Sequence, residues 1–369
     1  MAGFTYKIQY RAFKMALLLV ALTHLGCDEK TIPSVSNQPP PIQQDQERGE
    51  AVQLCTSNIQ FLGGSKLRDN EALANIYKNK GCDLVIVQEL IAPPDLTLLP
   101  NSPLYNSKEV PTYPDGTALR ANERNTEFFI AMLAAGYDQF WLSEEDTGTS
   151  VKNHSNGTNT EWFVVFYKSQ VVRPKLDLPN GFLDADRTAN PKYDRVPYAF
   201  SFTTVGNSVD FVLINVHLHP GPGRLDRERR KVEITNIFEW IAVQKFQNSE
   251  KDYIILGDMN LEDKKELDSV IPPEFVSLNA EAATNTNTNM TSPKPYDHIM
   301  ISRDDTKEVE FENNFEVINL ISELAIDWAS KHVDSAYPGD PYNHDMFRFY
   351  YTDHHPVLFK MKSSGQDDD

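Results

Sequence analysis

Two hydrophobic runs far apart in the chain each end by delivering acid and amide groups: Tyr253-Ile-Ile-Leu-Gly-Asp-Met-Asn260 and Phe349-Tyr-Tyr-Thr-Asp-His-His-Pro-Val357. A strand ending in Asp258 and Asn260, with a loop presenting Asp353 and His354, can hold a hard divalent cation and move a proton beside it. That combination suits the chemistry of phosphate esters.

Five more short apolar runs of strand character carry polar groups at one end. Cys55-Thr-Ser-Asn-Ile59 puts Asn58 at the end of a first strand, and Asp83-Leu-Val-Ile-Val-Gln-Glu89 ends a second with Gln88 and Glu89. Glu161 opens Trp162-Phe-Val-Val-Phe-Tyr167, and Phe211-Val-Leu-Ile-Asn-Val-His217 carries a histidine where a buried strand meets a loop. Tyr296-Asp-His-Ile-Met-Ile301 adds Asp297. Taken singly, each is ordinary. Gly-Asp-x-Asn is a common turn, Pro356 marks the start of an edge strand, and a lone strand-end histidine is more often structural than catalytic. Their collective placement at strand ends is what points to one site.

Helical spacing lies between the strands. Leu73, Ile76 and Tyr77 follow Asp69, and Ile234, Ile237, Phe238 and Ile241 share a face. Such helices should cover the outer faces of two packed sheets. The region from 51 to 362 is long enough for one large α/β domain.

The spaced set Asn58, Glu89, Glu161, His217, Asp258, Asn260, Asp297, Asp353 and His354 resembles the endonuclease/exonuclease/phosphatase superfamily over roughly residues 51 to 362. Within it the chain is most similar to the deoxyribonuclease I branch. Three stretches carry that narrower likeness: Tyr193-Asp-Arg-Val-Pro-Tyr198, His217-Leu-His-Pro-Gly-Pro-Gly223 with the charged helix after it, and the Thr/Asn-rich run into Tyr296-Asp297. The resemblance implies a two-layer β-sandwich flanked by helices, a four-layer α/β sandwich, acting as a metal-dependent phosphodiesterase and most specifically a DNA endonuclease. It implies Glu89, Asn58 and Asp353 as holders of Mg²⁺, with Mn²⁺ as a substitute and Ca²⁺ as a structural ion. It further implies two histidine–carboxylate pairs, His217 with Glu161 and His354 with Asp297. His354 would be the base and His217 the acid, a choice that can be exchanged, while Asp258 and Asn260 position nucleophile and phosphoryl oxygen. Arg195 and Arg187 are expected at substrate phosphates. His355 reads as non-catalytic, and His219 and His298 as structural neighbours of the site.

The chain departs from that branch where DNA is gripped. Leu90-Ile-Ala-Pro-Pro94 follows Glu89 where the relative has an arginine for the minor groove, and Asn156-Gly-Thr-Asn-Thr160 precedes Glu161 where an aromatic is expected. A Pro-rich insertion between Pro93 and Asn125 would reshape the groove. The alternatives are a sphingomyelinase-like or inositol-phosphate phosphatase-like phosphoesterase, and a surface lipoprotein without catalysis.

Residues 1–27 read as an export segment. Lys7, Arg11 and Lys14 precede Met15-Ala-Leu-Leu-Leu-Val-Ala-Leu22, too short to span a bilayer, and Gly26-Cys27 resembles the end of a bacterial lipobox that would acylate Cys27 and anchor the protein to a membrane. Residues 28–50 read as a Pro/Gln-rich tether and 363–369 as an acidic tail. The chain carries a net charge of −18, and removal of residues 1–26 takes away three cations and no acid, leaving −21. Any hold on nucleic acid must then come from a local basic surface or from cations. Arg224, Arg227, Arg229, Arg230 and Lys231 are the densest basic run, read equally well as a DNA contact or a solvated helix face. Cys55 and Cys82 are expected as two buried thiols, the Thr284–Thr291 loop as uninformative, and the protein as a monomer.

Overall fold

A computed structural model describes residues 51–99, 123–148, 161–187, 189–206, 209–280, 284–302, 315–361 and 367. Cys27, the 28–50 tether, most of the Pro93–Asn125 insertion and the Asn156–Thr160 stretch lie outside the described residues.

In chain order the elements are β1 (Val52–Leu62), α1 (Asn70–Asn79), β2 (Leu84–Leu90), α2 (Glu123–Ala135), β3 (Gln139–Leu142), β4 (Trp162–Tyr167), β5 (Val172–Pro174), β6 (Gly181–Phe182), β7 (Tyr198–Thr204) and β8 (Asp210–His217). They continue with α3 (Arg224–Gln247), β9 (Tyr253–Asp258), α4 (Lys264–Val270), β10 (Phe275–Ser277), β11 (Asp297–Ser302), β12 (Phe315–Val317), α5 (Leu320–Lys331), α6 (His344–Tyr350) and β13 (Val357–Met361). One mixed sheet runs β12-β13-β1-β2-β4-β3 and the other β10-β11-β9-β8-β7-β5, with β6 also paired to β7.

The period-2 geometry of a strand explains why these segments read as unbroken apolar runs: both faces of each central strand are covered. In β2, Leu84 and Ile86 enter the core between the sheets, while Val85 and Val87 face Leu73 and Tyr77 of α1 and Phe128 and Phe129 of α2. In β9, Ile254 and Leu256 face the other sheet, while Tyr253 and Ile255 pack with Ile234, Ile237 and Ile241 of α3. The result is the four-layer α/β sandwich anticipated from the sequence. Asp69 caps α1 by accepting from the backbone N–H of Ala72 at 2.9 Å, which fixes where the helix begins.

That β1-α1-β2 crossover corrects one expectation. Cys55 and Cys82 form a disulfide, with Cα atoms 5.8 Å apart and both residues fully buried. β1 and β2 are parallel neighbours, with Leu54 opposite Leu84 and Cys55 opposite Val85, so Cys82 at the entry to β2 arrives beside Cys55.

Inside the sandwich the two sheets are also tied by polar groups. The Nε2 of Gln88 donates to Thr56 Oγ1 at 2.9 Å and, across the sheets, to Asn215 Oδ1 at 2.6 Å, all three residues being fully buried. Gln88 precedes Glu89, and Asn215 stands two residues before His217.

Candidate active site

Strand register gathers the polar residues. In β8-β9-β11, His217 lies opposite Asp258 and Asp258 opposite Asp297, so three of the predicted groups stand in one row across adjacent strands. In the other sheet Asn58 pairs with Gln88, and a register shift in β2 just before Leu90 places Glu89 next to Glu161 at the start of β4. Glu89 sits at φ 65°, an uncommon conformation for a residue with a side chain. Gly257 matters for the row: its φ is 131°, and a Cβ there would lie 2.2 Å from the Val216 carbonyl oxygen.

Two imidazoles face one carboxylate. The Nδ1 of His217 is 2.8 Å from Glu161 Oε1, and the Nδ1 of His354 is 2.8 Å from Asp297 Oδ2. Because a carboxylate only accepts, each Nδ1 carries its proton and each Nε2 is left to exchange one. Those Nε2 atoms lie 3.5 Å and 3.6 Å from the same atom, Asp258 Oδ2. Burial and the Arg195 cation lower the His217 pKa, but Glu161 and Asp258 outweigh them and hold it above the ordinary value. His354 is pushed well above the ordinary value, since Asp297, Asp258 and Asp353 together exceed the cost of burial.

Asn58 links both halves of the site. Its Nδ2 donates to Glu89 Oε1 at 3.0 Å and to Asp258 Oδ2 at 2.9 Å, while its Oδ1 is buried with no hydrogen-bond partner. Glu89 is held in turn, its Oε2 accepting from the Phe61 backbone N–H at 2.8 Å and its own N–H donating to Glu161 Oε2. Burial raises the Glu89 pKa; His217 opposes the rise, and Asp353 and Glu161 add to it as like charges. Crowded carboxylates beside an unpaired amide oxygen are a donor set for a hard cation, and Mg²⁺ takes oxygen ligands. Glu89, Asp353 and Asn58 fit such an ion. Asp258, Asp297 and His354 also place ligand atoms within 4.8 Å of one another, but all three are buried and already joined by the His354–Asp297 contact. Glu89 and Asp353 are half-buried and open on the cleft, which gives an ion a way in.

The remaining predicted residues divide. Asn260 lines the cleft at φ 52°, its N–H donating to Asp258 Oδ1 at 2.8 Å and its Nδ2 to the Leu218 carbonyl at 3.0 Å. Arg195 also lines the cleft, but its Nε and Nη2 donate to the carbonyls of His217 and Leu218 at 2.9 Å and 2.7 Å, and Nε lies 3.3 Å from Glu161. It therefore braces the end of β8 as well as facing the cleft. Arg187 is placed elsewhere: it pairs with Glu145, donates to the Asp146 carbonyl and covers the Phe182 ring at 4.7 Å. The basic run after His217 is largely used internally. Fully buried Arg230 binds Glu266 at 2.8 Å and donates to the carbonyls of His219 and Gly221, Arg227 pairs with Asp263 and Glu266, and Arg229 donates to the Pro191 carbonyl.

The neighbouring histidines are structural. His219 bridges Asp194 and Asp226 at 3.3 Å and 3.1 Å, and buried His298 contacts Ser277 Oγ at 2.8 Å. The Nδ1 of His355 accepts the first N–H of α5, from Leu320, at 3.1 Å.

Two contributors were not singled out from sequence. The Thr/Asn-rich loop, expected to be uninformative, is a brace: Thr286 Oγ1 accepts from Asp297 N at 2.9 Å, and Thr288 N donates to the Asp353 carbonyl at 2.7 Å. Tyr296 lines the cleft with its ring tilted over His354 at 5.7 Å. The Thr/Asn-rich run into Tyr296-Asp297 carried a family likeness, but nothing in it showed that its Thr hydroxyl and backbone groups would bind Asp297 and Asp353. The whole cleft is about 340 Å³, with Phe61, Ile91 and Pro220 completing its walls.

The two sheets with helices on their outer faces are the architecture that the resemblance to the endonuclease/exonuclease/phosphatase superfamily implies. Similar solved structures include an endonuclease/exonuclease/phosphatase from Bacteroides vulgatus, 14% identical over 85% of this chain and 99% of that one, with a TM-score of 0.49. Truncated TDP2 from Caenorhabditis elegans is 12% identical over 85% and 99%, with a TM-score of 0.49. A mannosyl-6-phosphatase from Bacteroides thetaiotaomicron is 12% identical over 83% and 98%, again at 0.49. No family model and no curated protein matches the chain. At such identities and TM-scores these likenesses carry no argument about the chemistry, which rests on the site itself.

Proposed function

We propose that this chain is a metal-dependent phosphodiester hydrolase, and in its specific role an exported DNA endonuclease. The observation that carries the reading is the pair of carboxylate-oriented imidazoles whose Nε2 atoms lie 3.5 Å and 3.6 Å from one Asp258 oxygen. A phosphodiester needs a proton removed from the attacking water on one side and a proton given to the departing oxygen on the other. Two histidines converging from different sheets supply both. In one assignment His354, oriented by Asp297, takes the proton of the water and Asp297 stabilises the imidazolium that forms, while His217, kept protonated by Glu161, serves the leaving oxygen; the two roles can be exchanged. Asp258 and Asn260 orient the groups between them, work that can be worth several kcal/mol through positioning alone. A divalent cation held by Glu89, Asp353 and Asn58 would neutralise charge on the phosphoryl oxygens.

A second reading, a hydrolase of small phosphoesters, is favoured by the internal pairing of Arg227, Arg229 and Arg230, which removes most of the basic surface expected to meet a polyanion. Purified residues 28–369, assayed with Mg²⁺ on supercoiled plasmid, single-stranded DNA, RNA, sphingomyelin and a phosphorylated inositol, separate the two. Nicking of plasmid with little base preference is expected. Hydrolysis of only the lipid or the inositol phosphate replaces the nuclease reading.

Export with acylation at Cys27 belongs to the same proposal. It is supported by the charged start and short apolar run, and by the Cys55–Cys82 bridge, which suits an oxidising compartment. Labelled palmitate should enter the wild type and not Cys27→Ser; absence of label in the wild type assigns the protein to the plainly secreted class.

A further inference from the structure

Phe61 is the anomaly at the mouth of the cleft. It is an aromatic residue 40% exposed, among the cleft-lining residues, and its backbone lies at φ 45°. A bulky residue at positive φ is strained and persists only where its surroundings over-determine it. Here they do. The Phe61 N–H donates to Glu89 Oε2 at 2.8 Å, its carbonyl accepts from Gly64 N at 2.6 Å, and Arg124 Nη1 donates to the Gly64 carbonyl at 2.7 Å. On the other side Gln60 N donates to Thr352 Oγ1 at 3.0 Å, one residue before Asp353. The segment is thus pinned to two of the candidate metal-holding positions, while its side chain is turned outward. Among the described residues the Phe61 ring packs against no other ring, in contrast to Tyr296, which is spent on His354.

From this we propose that Phe61 is a substrate-binding residue that stacks on the nucleobase next to the scissile phosphate, an inference that rests on the nuclease reading above. An open aromatic face beside a phosphate site is a sequence-tolerant platform, because every base presents a π-face. It supplies a grip that the chain otherwise lacks: the net charge is acidic, Arg227, Arg229 and Arg230 of α3 are paired internally, and the stretch Leu90-Ile-Ala-Pro-Pro94 runs where the resembling branch has its groove-reading arginine. It also makes single-stranded or frayed DNA the better substrate, since a base inside a duplex has no free face to offer.

The test compares a dinucleoside monophosphate with analogues lacking one or the other base, using the full chain with Mg²⁺. Phe61→Asn removes the ring and tolerates positive φ; Phe61→Trp keeps a stacking face. On the intact dinucleotide Phe61→Asn should raise KM by about 10- to 100-fold with little change in kcat, the range expected for one stacked base, and Phe61→Trp should retain the wild-type KM. On the analogue lacking the stacked base, wild type and Phe61→Asn should have equal KM. Equal losses for Phe61→Asn on all three substrates, or a loss in kcat instead of KM, overturn the stacking role. A wild type inactive on every dinucleotide but active on another phosphoester overturns the nuclease reading and this inference with it.

Discussion

Replacing Glu161 by Gln should move the pH dependence of the reaction in a direction fixed by the geometry. Glu161 Oε1 lies 2.8 Å from His217 Nδ1 and 3.3 Å from Arg195 Nε, in a site where the carboxylate is almost fully buried. At 2.8 Å and an effective dielectric near 20, the charge pair is worth about 6 kcal/mol before relaxation. Relaxation and the amide dipole left behind reduce this to the one to three pK units usual for a neighbouring carboxylate, at about 1.4 kcal/mol per unit. The Arg195 cation remains and acts in the same direction once unopposed. The carboxylate raises the His217 pKa, so its loss lowers it, and a general acid must be protonated to work. The high-pH limb of kcat should therefore fall at lower pH by about one to three units.

The assay compares a phosphodiester with an alkoxide leaving group and one with a nitrophenolate, which departs without a proton. On the basic side Glu161→Gln should lose about 10- to 1000-fold on the first and far less on the second. The Gln amide also meets the Glu89 N–H, donor against donor, so thermal melting should be recorded in parallel; misfolding would cost both substrates equally. Equal losses on both substrates in a variant that melts like the wild type, or an unmoved limb, refute the assignment of His217 as acid.

Activity should vanish in chelator and return with Mg²⁺ or Mn²⁺, and Glu89→Gln should raise the Mg²⁺ concentration for half-activity by roughly 10- to 100-fold; an unchanged requirement excludes Glu89 as a ligand. Asn215→Leu leaves the buried Gln88 amide without its cross-sheet acceptor and should cost about 1–3 kcal/mol in urea unfolding, partly recovered when Gln88→Leu is added; strict additivity of the two losses argues against the tie. His355 has a pKa lowered to about 4, by burial and then by His354. Its folded value lies below the unfolded one, so its contribution to stability is present above pH 6.5 and lost as pH falls toward 4. Between pH 7 and 5 wild type should therefore lose up to about 2 kcal/mol more stability than His355→Gln, and equal losses refute the linkage.

The fold was legible because its central strands are buried on both faces. Leu84–Val87 and Tyr253–Leu256 read as continuous apolar runs for the same reason that they sit between two layers. The acid, amide and histidine residues were legible as a set because each stands at one end of such a run, and register then brings His217, Asp258 and Asp297 side by side. What stayed hidden depends on distance across the chain. The Cys55–Cys82 bridge needs the parallel pairing of β1 and β2, which no local pattern encodes. Thr286 and Thr288 look like any polar loop until Asp297 and Asp353 arrive as partners. Arg230 looks like surface charge, yet the loop carbonyls after His217 and Glu266 enclose it completely. Phe61 lies beyond the run that ends at Asn58 and carries no local mark, since positive φ has no signature for a Phe.

The central claim is that the His217–Glu161 and His354–Asp297 pairs serve one phosphate from opposite sides. Measuring kcat/KM for His217→Ala, His354→Ala and the double variant on the substrate that the panel selects tests it most directly. Each single change should lower the rate by about 10²- to 10⁴-fold, and the double variant should lose much less than the product of the two because the groups act as a unit. A double variant whose loss equals that product, or a single variant that keeps full activity, contradicts the account.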